Sequence, residues 1–262
     1  MYAFEYQRAK TVAEAVAALA KSGGKPLAGG QSLVGAMKLR LANPGTLVDL
    51  SGIAELKGIK KEGDAVVIGA LTTHAEVAAS SVVKQAIPAL AALAAGIGDR
   101  QVRNRGTLGG SLANNDPAAD YPAAALALGA TIHTSRRKIA ADDFFKGMYE
   151  TALGADEIIT AVSFAIPKKA AYVKFPQPAS RFALVGVFVA QTGSGVRVAV
   201  TGAAPQVHRA KALEEALAKN FTAAAAKAVK IPADRLNSDL HGSAEYRAHL
   251  VPVLAARAVA AQ

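Results

Sequence analysis

The sequence predicts an α+β protein in two parts, on three observations. Residues 11–50 read helix–strand–helix–strand, the pattern of a parallel unit. Two stretches, 56–61 and 65–70, flank Glu62-Gly63-Asp64, a hairpin signal. Beyond Pro167 the runs 171–175, 184–191 and 195–201, with Gly193-Ser194-Gly195 at a turn, predict a small three-stranded antiparallel sheet followed only by helical patterns. The chain therefore divides into residues 1–166, with subdomains of about 1–55 and 56–166, and residues 167–262.

The elements follow in order. Thr11-Val12-Ala13-Glu14 is a capping-box pattern opening an Ala-rich helix that ends at Gly23-Gly24. Residues 25–28 form a short strand and Gly29-Gly30-Gln31-Ser32 a tight turn. A helix follows over 33–41, with Lys38 and Arg40 near its end and Asn43-Pro44-Gly45 as its stop. A strand at 47–50 closes this unit. Thr73-His74-Ala75-Glu76 repeats the capping box at the start of a helix, and a second helix spans 82–95. Residues 96–115 are polar and glycine-punctuated, and read as a long loop of the kind that is more often functional than idle. A helix over 118–128, strands at 130–135 and 157–166, and helices at 210–219, 222–230 and 244–261 complete the chain.

Composition narrows the function. The 262 residues are 52% hydrophobic and 19% charged, sufficient for a sizeable core. No apolar run reaches the roughly 18 residues of a membrane span, and the N-terminal stretch lacks the basic-then-apolar pattern of a secretory signal; a cytoplasmic location is expected. The absence of cysteine excludes disulfides, a catalytic thiol, and cysteine-held zinc or iron–sulfur clusters on this chain. No pair among the five His has the spacing of a helical metal site. The net charge of +10 suits an anionic partner, nucleic acid included. With no Trp and 5% aromatic residues there is little to stack on bases, so a solvated basic surface or one facing an acidic subunit is the plainer reading.

Two glycine loops carry the chemistry. In Leu27-Ala28-Gly29-Gly30-Gln31-Ser32-Leu33-Val34, the glycines allow a sharp turn and close approach of a ligand to backbone. The helix that follows offers unpaired N–H groups, and Ser32 adds a hydroxyl, which together suit a phosphate oxygen. The loop is not G-x-G-x-x-G, so a Rossmann site is not indicated; a mere turn with a good cap is the alternative. In the second loop Thr107, Gly109, Gly110 and Ser111 offer backbone donors and two hydroxyls without bulk. Two facing loops can satisfy a diphosphate where one cannot. Asp120 repels phosphate but suits a sugar hydroxyl; interaction with its own helix N-terminus is the alternative. Arg100, Arg103 and Arg105 line the same stretch, and at most one is expected to reach cofactor charge, the others forming a solvated or ion-paired edge. His74 reads as structural, Tyr121 as either a ligand neighbour or a loop anchor, and Asn114-Asn115-Asp116 as a turn before Pro117.

At these loops the sequence resembles a known family, the FAD-binding medium subunit of molybdenum hydroxylases, the group that includes carbon monoxide dehydrogenase and xanthine dehydrogenase. The resemblance is carried by Ala28-Gly-Gly-Gln-Ser-Leu33 with Met37-Lys-Leu-Arg40, and by Gln101-Val-Arg-Asn-Arg-Gly-Thr-Leu-Gly-Gly-Ser111 with Asp116-Pro-Ala-Ala-Asp-Tyr-Pro122. It extends to Ile68-Gly-Ala-Leu-Thr-Thr-His-Ala-Glu76 and Pro178-Ala-Ser-Arg-Phe-Ala-Leu-Val-Gly186. It implies a two-part FAD-binding domain of the vanillyl-alcohol-oxidase (PCMH) type, then a smaller domain of three strands and a helix bundle. It also implies that Leu27 to Val34 and Thr107, Leu108, Gly109, Gly110 and Ser111 hold the FAD diphosphate. Asp120 would bind a sugar or ribityl hydroxyl, Ile97 and Ile159 would pack on the cofactor, and Lys174 or Gln177 would bring a polar side chain to the flavin. Gln31 stands where many members have His or Asn. FAD binding would be non-covalent. The molybdenum cofactor and [2Fe-2S] clusters would lie on a large and a small partner subunit, and this chain would pass electrons to an external acceptor. A free-standing flavoprotein oxidoreductase and a basic anion- or nucleic-acid-binding module are the alternatives.

Overall fold

A computed structural model describes residues 1–262. The N-terminal unit contains β1 (Glu5–Arg8), α1 (Val12–Ser22), β2 (Lys25–Leu27), α2 (Leu33–Lys38) and β3 (Thr46–Asp49). Its sheet has the order β1-β3-β2, and both pairings are parallel. The sequence misses β1, whose four residues are all exposed and so show no buried-face pattern. At the start of α1, Thr11 accepts from Glu14 N, but the Glu14 carboxylate reaches one residue further, to Lys10 N. A small core around Val48, Leu50 and Ile53 holds this unit and takes in Leu71 and Ile158 from the second.

The second unit is antiparallel. It comprises β4 (Ile59–Glu62), β5 (Ala65–Gly69), α3 (His74–Ala79), α4 (Ser81–Ala86), α5 (Pro88–Ala95), α6 (Arg100–Arg105), α7 (Leu108–Asn114) and α8 (Tyr121–Ala127). Then come β6 (Thr131–Thr134), β7 (Lys138–Ala140), α9 (Ala141–Phe144), β8 (Phe145–Gly147), β9 (Glu150–Thr151) and β10 (Ile159–Ala165). The five-stranded sheet runs β4-β5-β10-β6-β7. The helix expected over 82–95 is two helices. Pro88 lacks an N–H and keeps Ile87 out of helical conformation, so Ile87 (φ −141°, ψ 69°) separates α4 from α5. The loop expected over 96–115 is largely helical: Asp99 and Thr107 cap α6 and α7 by accepting from Val102 N and Gly110 N.

The C-terminal unit has β11 (Lys169–Pro176), β12 (Ala183–Thr192), β13 (Gly195–Thr201), β14 (His208–Arg209), α10 (Lys211–Lys219), α11 (Ala223–Ala228) and α12 (Ala244–Ala260). Its sheet, β11-β12-β13-β14, contains the three expected strands and a two-residue fourth. The period of two along a strand sorts its faces. Phe188, Ala190 and Ala199 enter the core built on the five-stranded sheet, whereas Val185, Val187, Val189, Val198 and Val200 pack with α10 and α12. The sheet thus lies sandwiched between α8 and α12, and it holds the C-terminal unit against the flank that carries the second glycine loop.

Candidate flavin site

Both glycine loops meet in one cleft. A Cβ on Gly110 would lie 3.7 Å from the Ala28 Cβ, and one on Gly29 would overlap the Arg105 carbonyl and lie 2.9 Å from Gly106 Cα. Close approach therefore requires glycine at position 29, and Gly30 adopts φ +74°, the left-handed region that favours glycine. Between β2 and α2 the backbone carbonyls of Gly29, Gly30 and Ser32 accept hydrogen bonds, but the N–H groups are left unpaired. The N–H groups of Ala28 through Leu33 find no acceptor within the chain, and Ser32 makes no capping bond. Such an arc of successive free donors is an anion-binding concavity.

The second loop works differently from its sequence expectation. Leu108 N donates to Thr72 O, Gly109 N to Ala70 O and Ser111 N to Thr107 O, while Gly110 N donates to Thr107 Oγ1. The first two hold the loop to the segment 70–72, the other two close its own turn on Thr107, and none of the four is available to a ligand. What the loop presents is smoothness: Gly109 abuts Ala70 and Gly110 faces Ala28. The half-buried Ser111 hydroxyl has no bond inside the chain.

Further along the cleft, the cations are largely committed. Arg103 turns inward and donates to Ile97 O and Gly98 O at 2.8 and 3.2 Å; Arg100 and Arg105 are exposed. Asp120 is 4% exposed and accepts from Tyr172 Oη and, at 3.1 Å, from Lys174 Nζ. Burial raises its carboxyl pKa, and the Lys174 charge and these hydrogen bonds oppose the rise. A carboxylate has about four acceptor positions, so Asp120 retains capacity for a sugar hydroxyl. Asp120 makes no cap bond to its own helix. Lys174 has three N–H donors, and Gly96 O, Arg181 O and Asp120 take all three. Gln177 builds its own turn, accepting from Ala179 N and Ser180 N. Ile97 is half-buried, and Ile159 is buried beside Thr160, whose carbonyl accepts from Ala70 N. Asn115, in left-handed conformation (φ 44°), closes α7 and bonds Gly147 O and Glu150 O. No cluster of three or more His, Asp or Glu is placed to hold a metal.

Tyr172 escaped sequence reading, because its partner lies 52 positions away across the two parts of the chain. Its alternation with Ala171 and Val173 was the available signal, placing it on the opposite strand face.

This cleft lies in a chain matched end to end by two family descriptions. The FAD binding domain in molybdopterin dehydrogenase matches residues 2–169, and the CO dehydrogenase flavoprotein C-terminal domain matches residues 170–262. The chain belongs to the FAD-binding medium subunits of the molybdenum hydroxylases. It is similar to the carbon monoxide dehydrogenase medium chain of Hydrogenophaga pseudoflava, with 38% identity over 98% of this chain and 96% of that one. The nicotine 6-hydroxylase medium subunit of Paenarthrobacter nicotinovorans is also 38% identical, over 90% of this chain and 88% of its own. Among solved structures, this medium subunit superposes on carbon monoxide dehydrogenase from H. pseudoflava lacking the Mo-pyranopterin moiety, with TM-score 0.90, 39% identity and coverage of 99% and 97%. Quinoline 2-oxidoreductase from Pseudomonas putida 86 follows at TM-score 0.89, 30% identity and coverage of 99% and 96%. The medium subunit is thus an oxidoreductase subunit with an FAD-binding domain, and none of its helices is long and apolar enough to cross a membrane.

Proposed function

We propose that this medium subunit receives electrons from an iron–sulfur small subunit, itself supplied by a molybdenum large subunit, and passes them to an external acceptor from the cytoplasm. The observation that carries the reading is the unpaired N–H arc of 28–33, with Gly110, which has no side chain, facing Ala28. A dinucleotide's linked phosphates need many donors and little steric bulk, and this cleft offers both. FAD, when bound, supplies the redox chemistry.

The chain's own residues bind and orient it. The N–H groups from Ala28 to Leu33, with the hydroxyls of Ser32 and Ser111, hold the diphosphate. Leu27, Gln31 and Val34 shape the first loop, and Thr107 and Leu108 shape the second. Asp120 accepts a sugar hydroxyl. Ile97 and Ile159 exclude water from the cofactor, and Lys174 and Gln177 hold the neighbouring edge, acting through Gly96, Arg181 and the 177–182 turn. We divide the chain for function at residue 166, with the flavin domain before it and the C-terminal domain after. No group here is asked to act as a substrate acid or base. The test is flavin content: the purified chain or its complex should yield about one releasable FAD, since there is one such cleft. A colourless protein that FAD cannot reconstitute would overturn the reading. Substrate turnover by the isolated chain would replace the partner-dependent role with a free-standing one.

A further inference from the structure

A column of tight contacts runs from the first loop into the core. Gly29 sits against the Arg105 carbonyl and Gly106. Gly106 in turn rests on His74: a Cβ at position 106 would lie 2.5 Å from His74 Nε2 and 2.8 Å from its Cδ2. His74 N donates to the Gly106 carbonyl at 3.0 Å, and the imidazole, only 5% exposed, lies 5.3 Å from the ring of fully buried Tyr121. Neither His74 Nδ1 nor Tyr121 Oη has a partner within the chain, so packing, not polar bonding, fixes the ring. Close-packed interiors transmit displacement, and nothing compressible separates the imidazole from Gly29.

We infer that His74 is a positioning residue for the dinucleotide, its imidazole forming the floor that sets the height of Gly106 and Gly29 and so aims the N–H arc of 28–33 at the diphosphate. The role rests on the assignment of that arc to FAD, but His74 itself touches no phosphate. Gly106 has φ −60°, a conformation alanine adopts freely, so Gly106→Ala acts only through the imidazole below it and the Val102 carbonyl at 3.1 Å.

The experiment measures FAD dissociation constants by flavin fluorescence for the full-length chain, Gly106→Ala, His74→Ala and the double variant. Overpacking is expected to weaken FAD binding about tenfold or more in Gly106→Ala. With the ring gone a Cβ at position 106 no longer meets the imidazole, so the double variant should bind FAD within about threefold of His74→Ala, whereas two independent changes would add. A double variant whose loss of affinity is the sum of the two single losses overturns the role of His74. If the unsubstituted chain binds no FAD, the proposed function falls and this role with it. Should Gly106→Ala not fold, His74→Ala decides alone. Weaker FAD binding at an unchanged flavin midpoint potential supports positioning, and unchanged affinity overturns it.

Discussion

Asp120 shows how one side chain serves two parts of the chain. It stands at the head of α8, yet its carboxylate bonds are to Tyr172 and Lys174 on β11. Removing the cation from a buried pair leaves a charge with inadequate compensation, which costs about 3–5 kcal/mol. Lys174→Met is therefore expected to lower stability by that order in chemical denaturation and to weaken FAD retention. Unchanged stability would show the pair to be dispensable. His74 gives a pH signature. Burial, helped by the nearby Arg103 charge, takes its pKa from the usual 6.5 to about 4. Between those values the unfolded chain binds a proton that the folded chain does not, so stability falls as pH drops from 6.5 toward 4 and levels off below. The contribution is on the order of 3 kcal/mol. His74→Phe should flatten the dependence of melting temperature on pH over that window relative to the unsubstituted chain; parallel curves would refute it.

Helix α7 depends on Thr107, whose hydroxyl accepts from Gly110 N. Thr107→Ala should cost about 1 kcal/mol, as N-cap losses do, and urea denaturation measures it. The same helix shows where sequence reading stops. The capping box at Thr73 and Glu76 closes reciprocally as its spacing predicts, and the strand–Gly-Gly–helix turn at 27–34 is built as expected. Residues 96–115 mislead because glycines at 96, 98, 106, 109 and 110 lower helix propensity. Here tertiary contacts override it: Gly109 is needed against Ala70, and Gly106 against His74. The Asp99 and Thr107 caps were readable, the contacts that demand glycine were not. Similarly, the glycine loops announce a phosphate site, but which N–H groups are free depends on Ala70 and Thr72, positions no local pattern connects to residues 108–109. Lys174 and Gln177 were traceable only through family resemblance: the partners of Lys174 lie in other elements, and those of Gln177 only build its own turn.

Across the whole molecule, β12 belongs to two cores at once. Its residues alternate between the flavin-domain core and the C-terminal helices, and eight consecutive positions from Ala183 to Ala190 are buried. A chain cut after residue 166 would uncover the surface that Phe188, Ala190, Ala199 and Val207 now fill. Exposed apolar patches of that kind drive association, so residues 1–166 alone should be insoluble or aggregate, while the full chain melts in one transition by calorimetry. A soluble, monomeric, FAD-binding fragment 1–166 would contradict this.

The same two-faced strand leaves the protein without a waist at which to bend. Domain closure needs a few residues free to absorb rotation, and here a swing of the C-terminal part would tear β12 from one packing layer or the other. The second unit and the C-terminal unit, which share this strand, are consequently expected to keep one fixed geometry beside the flavin site through turnover.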